Sequence, residues 1–187
     1  MVRAVSEGRQ PRARAKPLTR AASYEAAART PDPELPALTV EDLGILRQVD
    51  YFPGVVPGKG GEAVVTITPT YSGCPAMREI SADVTARLIR AGFTTVTVKT
   101  QLSPPWSTDW ITGEGRRKLA AAGIAPPPPA GRRTGPVPLT LSRPPSPRCP
   151  RCASPDTTLT AQFGATACKS LHRCNVCGEP FEAVKAL

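Results

Sequence analysis

The sequence predicts an α+β protein: a small mixed sheet with helices on one face, followed by a short C-terminal unit pinned by cysteines. Three observations carry this. Residues 31–124 alternate between β-branched apolar runs and runs with helical spacing. The stretch after Pro75 sets Met77, Ile80, Val84, Leu88 and Ala91 on one helical face. The last 39 residues hold two C-x-x-C pairs, Cys149/Cys152 and Cys174/Cys177, separated by 21 residues.

Taken in order, residues 1–30 are rich in Arg and Ala with few large apolar side chains, so burial cannot offset the entropy of ordering. A disordered basic tail is expected there, with a helical stretch at 23–29. Thr39 and Asp42 make a capping-box-like start, and Leu43, Leu46 and Val49 follow at helical spacing, which predicts a helix over 39–49. Two apolar runs, 51–56 and 62–68, flank PGKGG and predict an antiparallel hairpin. Pro75 suits the first position of the next helix and Gly92 suits its C-cap. Residues 93–98 alternate as a third strand, and 115–122 form a short helix ending at Gly123. Segment 125–148 has nine prolines in 24 residues, so it should be an extended spacer passing few contacts between the units at 31–124 and 149–187.

The net charge of +9 invites a nucleic-acid reading until it is localised. Residues 1–30 contribute +5 and the spacer +4, while neither candidate folded unit is strongly basic. A specific nucleic-acid-reading face is therefore not expected. No run approaches the roughly 20 apolar residues of a membrane span, and the N-terminal residues lack the apolar core of a secretory signal. The chain reads as cytoplasmic, where six cysteines point to metal ligands or reactive thiols more than to disulfides.

Four constellations carry chemistry. Cys149, Cys152, Cys174 and Cys177 can close a tetrahedron around a borderline-soft metal; structural zinc is expected, with a rubredoxin-like iron site as the rival. Phe163 and Phe181 are the expected small core of this unit. Nearby Cys168 and His172 either contribute to the site or, by the preferred plainer reading, are an ordinary thiol and a surface histidine. Cys74 directly precedes a helix, a position that favours thiolate, although a small buried hydrophobe at a helix start is the equal alternative. Asp32 and Glu34 lie in a D-P-E turn, either as carboxylates near helix starts or as acids beside Cys74. The loop S-P-P-W-S-T-D-W holds both tryptophans, so Trp106, Asp109 and Trp110 form either a packed lid or a partner-docking surface.

The segments DPELPALTVEDLG, VTITPTYSGCPAM, LSPPWSTDWIT, CPRC and FGATACKSLHRCNVCGEPF occur in one order. Over about residues 31–187 they resemble the PaaD family, also called PaaJ, accessory proteins of the phenylacetyl-CoA epoxidase system. The first unit is also similar to SufT-like iron–sulfur assembly factors, in which the DPE segment and the cysteine before the helix are hallmarks, here Asp32, Pro33, Glu34 and Cys74. The W-S-T-D-W loop and the C-terminal unit mark the PaaD-like branch. The resemblance implies a SufT-like domain at 31–124, a zinc ribbon at 149–187, and a role in aerobic phenylacetate catabolism. In that system a di-iron oxygenase epoxidises the ring with electrons from an iron–sulfur flavin reductase.

A single histidine excludes the paired Glu-x-x-His motifs of a di-iron carboxylate centre, and no dinucleotide-binding glycine motif is present. The implied role is a maturation factor, not itself an enzyme, that passes iron or an iron–sulfur cluster through Cys74 to the oxygenase, the reductase or both. The alternative is a non-catalytic interaction subunit docking through the Trp loop and ribbon. A thiol enzyme is the weakest reading, because the only histidine lies in the other unit. A cluster takes about four cysteine-type ligands, so Cys74 is expected to act as a shared ligand. A second Cys74 across a homodimer, a recipient protein or a small thiol would bring the rest, and Asp32 or Glu34 would bind iron transiently.

Overall fold

The computed structural model describes residues 18–56, 59–128 and 146–185. Eleven elements follow one another: α1 (Arg20–Ala28), β1 (Leu46–Val56), β2 (Lys59–Ile67), α2 (Ala76–Ala91), β3 (Thr95–Thr100), a 3-10 turn (Thr108–Trp110), α3 (Gly113–Ala121), β4 (Ile124–Ala125), β5 (Thr157–Ala161), β6 (Lys169–Cys174) and β7 (Pro180–Val184). β1 and β2 pair antiparallel, β2 and β3 parallel, which makes the expected small mixed sheet. Along β2, Ala63, Val65 and Ile67 are fully buried while Glu62, Val64 and Thr66 are half-buried, the alternation of a sheet covered on one face. Ile80, Val84 and Leu88 of α2 pack onto that face, and Gly92, at φ 108°, ends the helix as a left-handed C-cap.

The helix expected over 39–49 does not form. Thr39 and Asp42 do make the reciprocal capping contacts, with the Thr39 amide donating to Asp42 Oδ2 at 2.9 Å and the Asp42 amide to Thr39 Oγ1 at 3.2 Å. Only one turn follows, because Gly44 takes φ +67° and the chain enters β1 at Leu46. A register shift between Leu46 and Gln48 explains the misleading pattern: the bulge puts Leu46 and Val49, three residues apart, on the buried face.

The expected disordered tail needs a similar correction. Residues 1–17 lie outside the described residues, but the stretch from 18 is structured: Thr19 caps α1 by accepting from the Ala22 amide, and Ala27 and Ala28 are buried in the core. The helix forms because its small residues fit flush against neighbouring elements, so burial offsets ordering without large side chains.

The second sheet has the order β4-β7-β6-β5. Its first strand comes from the end of the first unit, since Ile124 and Ala125 pair in parallel with Glu182 and Ala183. Val184 belongs to the main core cluster, and Ala125 packs with Cys149, Cys174, Phe181 and Ala183. The boundary expected at 124/125 therefore does not separate two independent units. Spacer residues 129–145 lie outside the described residues.

Candidate metal sites

The two C-x-x-C turns are built alike. In one, the Ala153 amide donates to the Cys149 carbonyl and the Cys149 amide to the Ser154 carbonyl, each at 2.9 Å. In the other, the Gly178 amide donates to the Cys174 carbonyl at 3.0 Å and the Cys174 amide to the Glu179 carbonyl at 2.9 Å. The residue after each second cysteine has positive φ, 60° at Ala153 and 76° at Gly178, so both turns fold back tightly. The four ligand atoms all lie within 4.8 Å of one another, with Sγ pairs at 3.7 Å for Cys149–Cys177 and 3.5 Å for Cys152–Cys174. The Cys177 amide points at Cys174 Sγ and pulls that thiol down to about 7. Four thiols so gathered fit a tetrahedral metal ion.

Around this knuckle three expectations change. Phe181 is buried, but Phe163 is 64% exposed, its ring covered by the Lys185 ammonium at 3.9 Å, so Phe163 is not core. His172 is not a surface residue: it is buried, stacked on Phe181 with centroids 5.6 Å apart, and Nε2 bonds Ser170 Oγ at 3.0 Å. Burial holds its pKa below the ordinary histidine range. Cys168 points away from the knuckle and into the first unit, where its Sγ meets Glu34.

A second site lies there. Cys74, Asp32 and Glu34 line one cavity of about 30 Å³, together with Trp106 and, from the ribbon, Cys168 and Val184. The D-P-E segment is held by its own carboxylate: Asp32 Oδ1 accepts from the amides of Glu34 at 2.9 Å and Leu35 at 2.8 Å. Burial pushes the Asp32 carboxyl up against those bonds. Burial and the neighbouring Asp32 push Glu34 up as well. Cys74 receives a hydrogen bond from the Ala76 amide, as a helix start should supply, yet its thiol is raised. The expected thiolate preference is thus reversed, because burial and the facing carboxylates outweigh that amide.

Two neighbours of Cys74 and Glu34 are not placed at this site by the sequence. Tyr71 hydrogen-bonds Cys74, and its phenol is pushed up by burial and by the neighbouring Cys74, Glu34 and Cys168. Its one clue is adjacency to Cys74 in T-Y-S-G-C. Cys168 sits 134 residues from Glu34 in sequence, with its Sγ 3.8 Å from Glu34 Oε2, and nothing in the sequence announces that approach.

The Trp loop divides. Trp106 is buried and donates from Nε1 to the Leu43 carbonyl at 2.8 Å, so it packs and does not present a docking surface. Trp110 is half-buried beneath the Arg47 guanidinium, 3.5 Å from the ring centre, and Asp109 is exposed. The loop rests on the Gly44 turn, where a Cβ would come within 2.5 Å of Trp110 atoms. Among the described residues no helix is long and apolar enough to cross a membrane.

Comparison with known proteins places these features. Residues 133–185 match the PaaD zinc beta ribbon domain. Over 157 residues the chain is 45% identical to an Escherichia coli K12 protein designated a 1,2-phenylacetyl-CoA epoxidase subunit, covering 84% of this chain and 87% of that one. Similar solved structures include a DUF59 domain of unknown function from Bacillus anthracis, with 26% identity, 52% and 87% coverage and a TM-score of 0.44. A conserved hypothetical protein from Thermotoga maritima has 25% identity, 56% and 96% coverage and a TM-score of 0.43. A Mycobacterium tuberculosis protein associated with Fe-S complex assembly and repair has 32% identity, 55% and 84% coverage and a TM-score of 0.34. With a relative this similar over this much of both chains, and the family's own ribbon at its C-terminus, the chain belongs to the PaaD family of phenylacetyl-CoA epoxidase subunits.

Proposed function

We propose that this chain is a non-catalytic accessory subunit of the phenylacetyl-CoA epoxidase system, acting in the cytoplasm to pass iron or an iron–sulfur cluster through Cys74. The oxygenase, the iron–sulfur flavin reductase or both would receive it. The observation that carries this reading is that the Cys74 thiol meets the Asp32 and Glu34 carboxylates, from a separate segment, in a single cavity. Hard carboxylate and soft thiolate ligands together suit iron, and a mixed, incomplete set suits cargo that must leave. Binding would displace the proton that the raised Cys74 thiol holds, so uptake favours higher pH and release lower pH. Asp32 and Glu34 would supply transient oxygen contacts, and a second copy of the chain is one source of further ligands.

The knuckle formed by Cys149, Cys152, Cys174 and Cys177 would hold structural zinc, and a shell of four protein thiols leaves no position for a substrate. Against a thiol enzyme stands the only histidine, which is engaged with Phe181 and Ser170 inside the ribbon.

The test is Cys74→Ser in a strain lacking this gene. Epoxidation of phenylacetyl-CoA should fall at least roughly tenfold, as expected for loss of a direct ligand, while the variant still co-purifies with the epoxidase components. Full epoxidation by the serine variant would replace the carrier reading with that of a structural interaction subunit.

A further inference from the structure

Cys168 is the thiol that the carrier reading leaves unused. It precedes β6 in the ribbon, yet it lines the same cavity as Cys74 and faces Glu34 across 3.8 Å. Its position is fixed by Thr166 Oγ1, 3.1 Å from Sγ, and by the Lys185 amide, which donates to the Cys168 carbonyl at 2.9 Å. The next residue, Lys169, is buried and paired with Glu182 at 2.6 Å, so its charge is already neutralised within the ribbon. The knuckle needs no fifth thiol, because its four ligand atoms already sit within 4.8 Å of one another. A cysteine serving only as a small hydrophobe would face apolar atoms, whereas this one faces a carboxylate and a hydroxyl.

We infer that Cys74 of the first unit and Cys168 of the ribbon, with the Glu34 carboxylate, form one site for a divalent ion of borderline softness, distinct from the knuckle. The inference deepens the carrier reading and rests on it. Two thiolates and one carboxylate make an S2O set, to which a fourth, exchangeable ligand completes a tetrahedron. On binding, both thiols lose their protons to solvent and both sulfurs donate to the ion, with no change of oxidation state. The three groups are set wider than the knuckle cysteines, since among the described residues only the knuckle four have ligand atoms all within 4.8 Å. The pocket must therefore close on its ion, which makes the site labile where the knuckle is permanent. Ribbon docking thereby becomes part of site assembly.

Cobalt(II) is the probe. The full chain, with its knuckle loaded with one equivalent of zinc, is titrated anaerobically with cobalt while bound zinc is monitored. Wild type should take up one further ion with a thiolate charge-transfer band. Cys74→Ser and Cys168→Ser should each keep about half of that intensity and bind roughly tenfold more weakly or worse. If Cys168→Ser titrates like wild type while Cys74→Ser loses the band, the shared site is wrong and the single-thiol carrier stands. If neither substitution alters the titration, both fail. A variant that does not fold cannot rescue the idea, because the wild-type chain gives a second measurement with phenylarsine oxide, an arsenical that bridges two nearby thiols. Peptide mapping should find one adduct linking Cys74 to Cys168 with zinc retained, and failure to link them overturns the site.

Discussion

Asp42 joins the Thr39 turn to α3. Burial pushes its carboxyl up, but the Lys118 ammonium at 2.7 Å and the Thr39 amide and hydroxyl outweigh burial and hold it below the ordinary carboxylate range. A depressed folded-state pKa means that the unfolded chain binds more protons in acid. The stabilisation is therefore complete above the unfolded pKa, near pH 4, and is lost as pH falls through the folded value. Asp42→Asn should cost about 1–3 kcal/mol at pH 6, and urea unfolding of variant and wild type should converge as the pH is lowered below the ordinary carboxylate range. A stability gap independent of pH would show that Asp42 acts through shape and not charge. At this scale the chain is legible where chemistry is local: the four knuckle cysteines, the Asp32–Glu34 turn and the Thr39–Asp42 cap are each readable within a few residues. The state of Cys74 is not, because the burial and the carboxylates that raise its thiol act on it only in the folded pocket.

Two elements defy their local patterns, for different reasons. The 39–49 segment carries apolar residues at a spacing of three, which a helix and a bulged strand share, and Gly44 decides between them by turning the chain before a second helical turn can form. In α1 the sequence offers mostly alanine, which looks too poor to bury, yet Ala27 is fully buried. Tight packing makes alanine the residue that fits there. Ala27→Leu should therefore lower stability by about 1–3 kcal/mol through overpacking, read as a lower urea midpoint with an unchanged slope. A disordered tail would give no shift. By contrast, α2 obeys the simple rule, since its apolar face, its start near Pro75 and its Gly92 cap all follow from residues within the helix itself.

Across the whole molecule, the least legible feature is the relation between the first unit and the ribbon. Nine prolines between them suggest independence, but β4 joins the ribbon sheet, Val184 enters the main core, and Cys168 reaches Glu34. None of these contacts has a local signature, because each pairs residues far apart in sequence. They would make a metal held by the knuckle a support for the first unit as well as for its own fold. Both tryptophans, Trp106 and Trp110, lie in the first unit, so their fluorescence reports that unit's unfolding separately from the ribbon's. Strong chelation should collapse the knuckle and remove the packing around Val184, whose burial is worth about 1.5–3 kcal/mol. The tryptophan-detected melting temperature should fall by about 5–10 °C, since each kcal/mol shifts a domain of this size by several degrees. Restoring one equivalent of zinc should restore it. A tryptophan transition indifferent to chelation would mean that the ribbon hangs from its spacer as an independent unit, and the pocket between Cys74 and Cys168 could not then be a persistent feature of the molecule.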